Sequence, residues 1–436
     1  MKLPFFIKLS LKYLWRYKRR YLFLFLALGF GFGVITVISS LKDGMKENLY
    51  LSAQSHYAGD ITAVGFEAGQ ALDEHLTRTE QEAILAAAET AGLDPASIAI
   101  RTTIHAKNGG SIFFNGNSIA LKHIVGADWN EEKSYFEHLS YAEAPGYWNE
   151  DSILLSRPIA DELGIRRGDS ITLEVMTVER HKNTGNFVVS GIVEDASVFG
   201  YYKVYVSRLS LNRLAGIADE DCSLIGFFLK NRKIIEQKRK NFHDALKTRI
   251  NTGPLVYDRN SLSEEIDKSK TGLRVFLITL PVYLSEVAQL MDAIDLASYV
   301  LFGMMLAIIM VSAVVTCRLI LHERTKETGT MRAIGFYEAD LRYILQLEIA
   351  IMALFSLAAG FLLALLINRI LSHSSFGWFP GFEVFTQNGK FTALYLPGTT
   401  LINILITGIA LSLAAGGPIF RNSRNPLPEM LSGGAL

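Results

Sequence analysis

Four long apolar runs punctuate the chain, at residues 21–40, 296–317, 343–367 and 397–417. At 1.5 Å per residue each is of the order needed to cross a hydrocarbon core about 30 Å thick. The pattern therefore predicts a membrane α-helical protein with four transmembrane helices. Between the first two runs, in residues 41–295, the period changes to short alternating segments bounded by turn residues, with a few helical stretches among them. That reads as a large α+β extracytoplasmic domain inserted between helices 1 and 2. Within it a helix is expected over 79–91, with Thr79 and Glu82 spaced as a capping box and Gly92 as its stop. Strands are expected at 98–106, 111–114 and 119–125, separated by turn residues at 107–110 and 115–117. Residues 153–173 read as strand, helix, turn and strand, with further strands at 187–193 and 202–207. The stretch 273–290 is apolar but broken by Pro281, Glu286 and Gln289, so a stalk or connector is expected there, with Asp292 and Asp295 at the outer boundary of the second span. Ahead of the first span, Phe5, Phe6, Leu9 and Tyr13 interleave with Lys8, Lys12 and Arg16, the pattern of an amphipathic helix in the membrane interface.

Charge fixes the expected orientation. The formal net charge is zero, yet Lys2, Lys8, Lys12, Arg16, Lys18, Arg19 and Arg20 crowd the first twenty residues without an acid. The loop 318–342 carries Arg318, Arg324, Lys326, Arg332 and Arg342, whereas 368–396 carries only Arg369 and Lys390. Basic residues stay on the cytoplasmic side. Residues 1–20, 318–342 and the tail 418–436 are thus expected in the cytoplasm, with both termini there, and 41–295 and 368–396 outside, as in a multi-pass protein of the cell inner membrane. The basic N-terminus answers to topology and anionic lipid, not to nucleic acid. A signal peptide is the rival reading of 21–40, but the run is longer than a typical signal core and no small-x-small cleavage site follows. Cys222 and Cys317 fall on opposite sides, which rules out a disulfide between them and a metal site built from them.

Small residues recur four apart in the spans: Gly29 and Gly33; Gly303 and Ala307; Ser356, Gly360 and Ala364; Gly408, Ser412 and Gly416. Such ridges let helix backbones approach closely in lipid, within the chain or against a second permease. Glu348 sits inside the third span, where a carboxylate is costly and needs a partner, with Arg342 or Arg332 as candidates. Phe376, Trp378, Phe379, Phe382, Phe385, Phe391 and Tyr395 read as an aromatic belt at the outer interface, or as a gate for lipid tails.

The most charged short stretch lies between the second and third spans: Glu323-Arg324-Thr325-Lys326-Glu327-Thr328-Gly329-Thr330-Met331-Arg332-Ala333-Ile334-Gly335. Met331 and Ile334, three apart, belong on one face of a short helix ending at Gly335. The stretch resembles the E-R-x-x-E-I/T-G-x-L/M-R-A-I/L/V-G signature of FtsX/MacB-type ABC transporter permeases. Residues 153–173 and the two strands after them resemble that family's extracytoplasmic domain, and 418–426 resembles its closing P-x-x-R-x-x-x-x-P run. Phe336-Tyr337 departs from the pattern, removing the side chain that would cap the third span.

The resemblance implies a permease whose inner loop contacts a cytoplasmic ABC ATPase. Glu323, Arg324, Lys326, Glu327, Gly329, Met331, Arg332, Ile334 and Gly335 are the expected coupling residues, and Glu348 the intramembrane one. It also implies ATP and Mg bound by a separate ATPase, two copies of which pair with two permease chains, identical or paralogous. Length and the outer region are most like the LolC/LolE permeases, which release lipoproteins from the inner membrane. Export of a peptide or drug-like substrate and mechanotransmission to a cell-wall hydrolase are the rivals, and an ATPase-independent anchored scaffold or sensor is the alternative of another class. The chain has no G-x-x-x-x-G-K-S/T loop, no H-E-x-x-H and no G-x-S-x-G, so no catalytic or metal site is expected in it and no bound cofactor.

Overall fold

The computed structural model describes residues 3–430 apart from 68–71, 73, 106–108, 138, 195–198, 269–271, 375–385, 387–389, 425, 427 and 429. The chain forms two compact units: residues 1–46, 291–375 and 390–436 make the first, and 47–290 with 376–389 the second.

In chain order, α1 (Leu3–Arg16) and α2 (Lys18–His56) are followed by β1 (Ile61–Glu67), α3 (Arg78–Thr90), β2 (Pro95–His105), β3 (Gly110–Phe114) and β4 (Asn117–Ala120). Next come β5 (His123–Ala127), α4 (Lys133–Glu137), β6 (Tyr141–Glu143), β7 (Ser152–Ser156), α5 (Arg157–Leu163), β8 (Ser170–Met176) and β9 (Lys182–Val193). Then β10 (Lys203–Ser207), α6 (Arg208–Ala215), β11 (Leu224–Leu229), α7 (Ile235–Lys247), α8 (Arg259–Lys268), β12 (Leu273–Thr279) and α9 (Leu280–Tyr283) close the second unit's main segment. The remaining elements are α10 (Ser285–Glu323), α11 (Thr325–Ala333), α12 (Glu338–His373) and α13 (Pro397–Ser423).

Four helices, α2, α10, α12 and α13, are long and apolar enough to cross a membrane. The small-residue ridges of α2 and α12 meet each other: a Cβ built on Gly360 would lie 2.3 Å from the Gly29 carbonyl oxygen, and one on Gly33 3.0 Å from that of Gly360. The glycines of the other two ridges, Gly303, Gly408 and Gly416, have nothing within 4 Å of such a Cβ. Buried polar side chains tie the same bundle at its other end, where the Asn368 amide donates to Ser40 at 2.7 Å and to Tyr395 at 2.6 Å, and Asn403 donates to Ser39 at 3.0 Å. Asp295 lies within α10, where it faces Lys42 at 3.4 Å and is bonded by Lys46. The aromatic residues Phe376, Trp378, Phe379, Phe382 and Phe385 lie outside the described residues.

The second unit is built on one strand order, β12-β1-β11-β2-β5-β10-β7-β9-β8-β3-β4, with β6 added to β9. Strand β1 is buried on both faces, as its position between β12 and β11 requires. Ile61 and Ala63 join a core with Ile84 of α3 and Phe242 and Leu246 of α7, while Val64 and Phe66 face a second core with Val256, Leu262 and Phe276. The largest core gathers Ile104, Ile112, Ile153, Leu173, Phe187 and Leu211 from the other strands and α6.

Three expectations change. The capping box uses Thr77 and Glu80, whose carboxylate accepts the Thr77 N–H at 3.1 Å, two residues before the predicted pair. The strand expected over 119–125 is two strands, since Leu121 bonds Gly110 while Lys122 bonds Tyr202, so the chain leaves the β3 ladder and enters the β2 ladder there. Residues 273–279, expected in a connector, are edge strand β12 paired along all of β1; Pro281 then sits in the first turn of α9, where its missing N–H costs nothing.

Candidate functional site

Helix α11 and the residues flanking it have one buried and one exposed side. Arg324, Thr328 and Gly329 point inward; Glu323, Lys326, Thr330, Ile334 and Tyr337 point outward. Ile334 is 77% exposed and Tyr337 78%, large apolar surfaces on an otherwise polar segment. Thr328 closes its own turn by donating to the Arg324 carbonyl at 3.1 Å. The helix stops at Ala333, Ile334 caps it, and Gly335 takes φ +108°, a left-handed conformation that a side chain would strain. Ile334 therefore lies past the helix end while Met331 is half-buried within it, so the two do not form the single ridge their spacing predicts.

Beneath this segment is an ion pair. Arg324 is 2% exposed and Glu348 of α12 wholly buried, and the guanidinium Nη1 lies 2.6 Å from Glu348 Oε2. The Tyr21 hydroxyl donates to the same carboxylate oxygen at 2.6 Å. The Arg324 guanidinium stacks over the Tyr13 ring at 4.4 Å and the Tyr17 ring at 5.3 Å. Tyr17 donates in turn to Glu327, and the hydrogen bond to that carboxylate holds its phenol above the ordinary tyrosine value. The partner of Glu348 is thus Arg324 rather than Arg332 or Arg342. Arg332 instead pairs with Glu338 at 3.0 Å, and Arg342 bonds the Glu338 carbonyl and lies over Phe420 at 5.3 Å.

Residues 13–21 thereby clasp the loop from one side. Helix α1 is seated on α12 through the edge contact of Phe6 with Tyr343, centroids 5.4 Å apart, and the donation of buried Ser10 to the Ile344 carbonyl. Sequence reasoning missed the three tyrosines although Tyr13, Tyr17 and Tyr21 stand four apart, the spacing of one helix face. It also missed that Arg324, one of the five basic residues of the loop, turns inward. The N-cap of α12 is Tyr337 with no side-chain cap, as the departure at Phe336-Tyr337 implied.

Chemically the arrangement is a buried ion pair, in which the Arg324 guanidinium and the Tyr21 hydroxyl both meet Glu348 Oε2. A nine-residue helix is thus tied to α12 through the buried Arg324–Glu348 pair at its N-terminus, and the segment presents a mixed polar and apolar face outward. Among the described residues no group of His, Cys, Asp and Glu could hold a metal ion.

Residues 299–426 match the family described as FtsX-like permease C-terminal, a match that takes in α11, Glu348 and the closing proline run. No curated protein matches the chain. Among solved structures, the periplasmic region of MacB from Actinobacillus actinomycetemcomitans is similar with a TM-score of 0.30 and 12% identity, over 54% of this chain and 95% of that one. At that score the likeness bears on neither fold nor function.

Proposed function

We propose, from the match of residues 299–426 to the FtsX-like permease C-terminal family, that this chain is the membrane subunit of an ABC system driven by an ATPase on a separate polypeptide. The observation that carries the reading is the pairing of an exposed ridge at Glu323, Lys326, Thr330, Ile334 and Tyr337 with a base fixed by Arg324 and Glu348. A partner pushing on that ridge moves α12 with it, since separating Arg324 from Glu348 would strand a buried charge. Four apolar helices and the permease domain accord with a multi-pass protein of the inner membrane.

In this reading the chain is no enzyme itself. ATP and Mg bind to the ATPase, two copies of which engage two permease chains, and closure of the ATPases biases the spans between two arrangements. The outer α+β unit is the moved part. Release of lipoproteins from the inner membrane is the proposed task, with export of a peptide or drug-like substrate and activation of a cell-wall hydrolase as the competing ones. The test is a pull-down of tagged protein from gently solubilised membranes, comparing wild type with the pair Glu323→Lys and Lys326→Glu. A P-loop ATPase recovered with wild type and lost with the pair supports the reading. Recovery of no ATPase even after crosslinking favours an anchored scaffold.

A further inference from the structure

The second unit holds a cleft of about 540 Å³, open on one side, between the last turns of α2 and residues 131–140. Asn48, Leu51 and Ser55 form one wall, Tyr135 and Leu139 another, and Ser97, Ile98 and Ala99 of β2 lie along its floor. Three observations bear on what it takes.

The first is an open strand edge. Strand β2 pairs with β11 over residues 95–101, but with β5 only over 102–105, because β5 ends at Ala127. In such a ladder successive residues point their N–H and C=O alternately to the two sides. The Arg101 carbonyl bonds Ser223 N–H at 2.9 Å on the β11 side, so Ala99 faces β11 as well, and Ile98 and Ile100 face the other way. Strand β5 meets the same side only from Thr102 onward. Among the described residues the Ile98 and Ile100 backbone groups therefore face no partner strand on that side, and Ile98 lines the cleft.

The second is an unpaired donor. Asn48 is 6% exposed, it lines the cleft, and its amide nitrogen has no hydrogen-bond partner. Turning the Asn48 amide toward a carbonyl placed in the cleft would give this group the partner it lacks. The third is charge. Among the described residues Glu131, Glu132 and Glu194 line the cleft and no lysine, arginine or histidine does. Arg101 neutralises Glu132 at 2.6 Å and Arg157 reaches Glu194 at 2.6 Å, which leaves exposed Glu131 at the rim.

We infer that this cleft binds an extended basic peptide segment, which adds a short strand to the open edge of β2. Peptide N–H and C=O groups bond Ile98 and Ile100, one carbonyl accepts from Asn48, and a lysine or arginine faces Glu131. Alternate apolar side chains pack on Leu51, Leu139 and Phe228. Main-chain bonding of this kind gives affinity, and the pockets between give selectivity. The site lies wholly within the second unit, so the inference does not depend on the permease reading.

The probe is a fluorescent Lys-Val-Lys-Val-Lys peptide titrated against the purified full chain, beside Glu-Val-Glu-Val-Glu, with amide exchange followed at Ile98 and Ile100. We expect saturable binding of the lysine peptide, exchange at both amides slowed roughly tenfold or more, and binding weakened roughly tenfold by Glu131→Lys. Ile98→Pro removes only an outward-facing N–H, a change that edge strands tolerate, and should weaken binding similarly. Absence of saturable binding, equal binding of the glutamate peptide, or binding that leaves exchange at Ile98 and Ile100 unchanged overturns the inference. The exchange measurement uses wild type, so it decides even if a variant fails to fold.

Discussion

Replacing Arg324 by methionine leaves the Glu348 carboxylate buried with the Tyr21 hydroxyl as its bonding partner. Removing one member of such a pair costs about 3–5 kcal/mol, whereas exchanging both for apolar residues is often neutral. We therefore expect Arg324→Met to lower the thermal midpoint of the purified protein sharply and Arg324→Met with Glu348→Met to regain most of the loss. A single variant as stable as wild type would mean that the pair is not buried as described. A second residue-scale effect follows from His123, stacked between His56 and His105 with ring centroids 4.6 Å apart on each side. Burial first, then the neighbouring His56 and His105, pushes its imidazole well below the ordinary histidine value. The folded state thus holds the neutral form, while the unfolded chain takes up a proton below about pH 6.5. Stability of the second unit is full above that pH and falls below it, by up to about 1.4 kcal/mol per pH unit for this one group. Thermal unfolding followed by Trp129 and Trp148 fluorescence from pH 8 to about pH 5 checks the sign, and a midpoint that rises on acidification would contradict it.

At the scale of elements, the two small-residue ridges that meet set the approach of α2 to α12. Gly360→Val places a side chain against the Gly29 carbonyl, and overpacking of that kind costs about 1–3 kcal/mol. Gly408→Ala, with nothing within 4 Å, should change the thermal midpoint little. Equal effects of the two would show that the ridges do not differ in the way described. The spacing of small residues was legible in the sequence, but which ridges meet was not, because a ridge has the same pattern whether it faces its own chain or lipid. The spans were legible for a different reason: a run of twenty apolar residues admits few other structures. Strand β12 was misread because its buried stretch Val275–Ile278 is a continuous apolar run, and periodicity cannot separate that from a buried helix. The inward turn of Arg324 was hidden as well, since its neighbours Glu323 and Lys326 are charged too and stay exposed.

At the scale of the whole molecule, the exposed face of residues 323–337 is the surface on which coupling to an ATPase is proposed. Met331, Arg332 and Glu327 are half-buried, Arg324 and Gly329 are buried, and Glu323, Lys326, Ile334 and Gly335 are left to meet a partner. The resemblance to FtsX/MacB permeases implies nine coupling residues, and the structure separates the exposed ones from those packed against the rest of the chain. The most direct measurement puts a photocrosslinking amino acid at Ile334, whose side chain is 77% exposed and takes no part in the Arg324 anchor. Irradiation of intact cells followed by identification of the crosslinked chain should yield a P-loop ATPase. Crosslinks from the same probe to lipid alone, or to proteins without a nucleotide-binding loop, would contradict the coupling role of this segment.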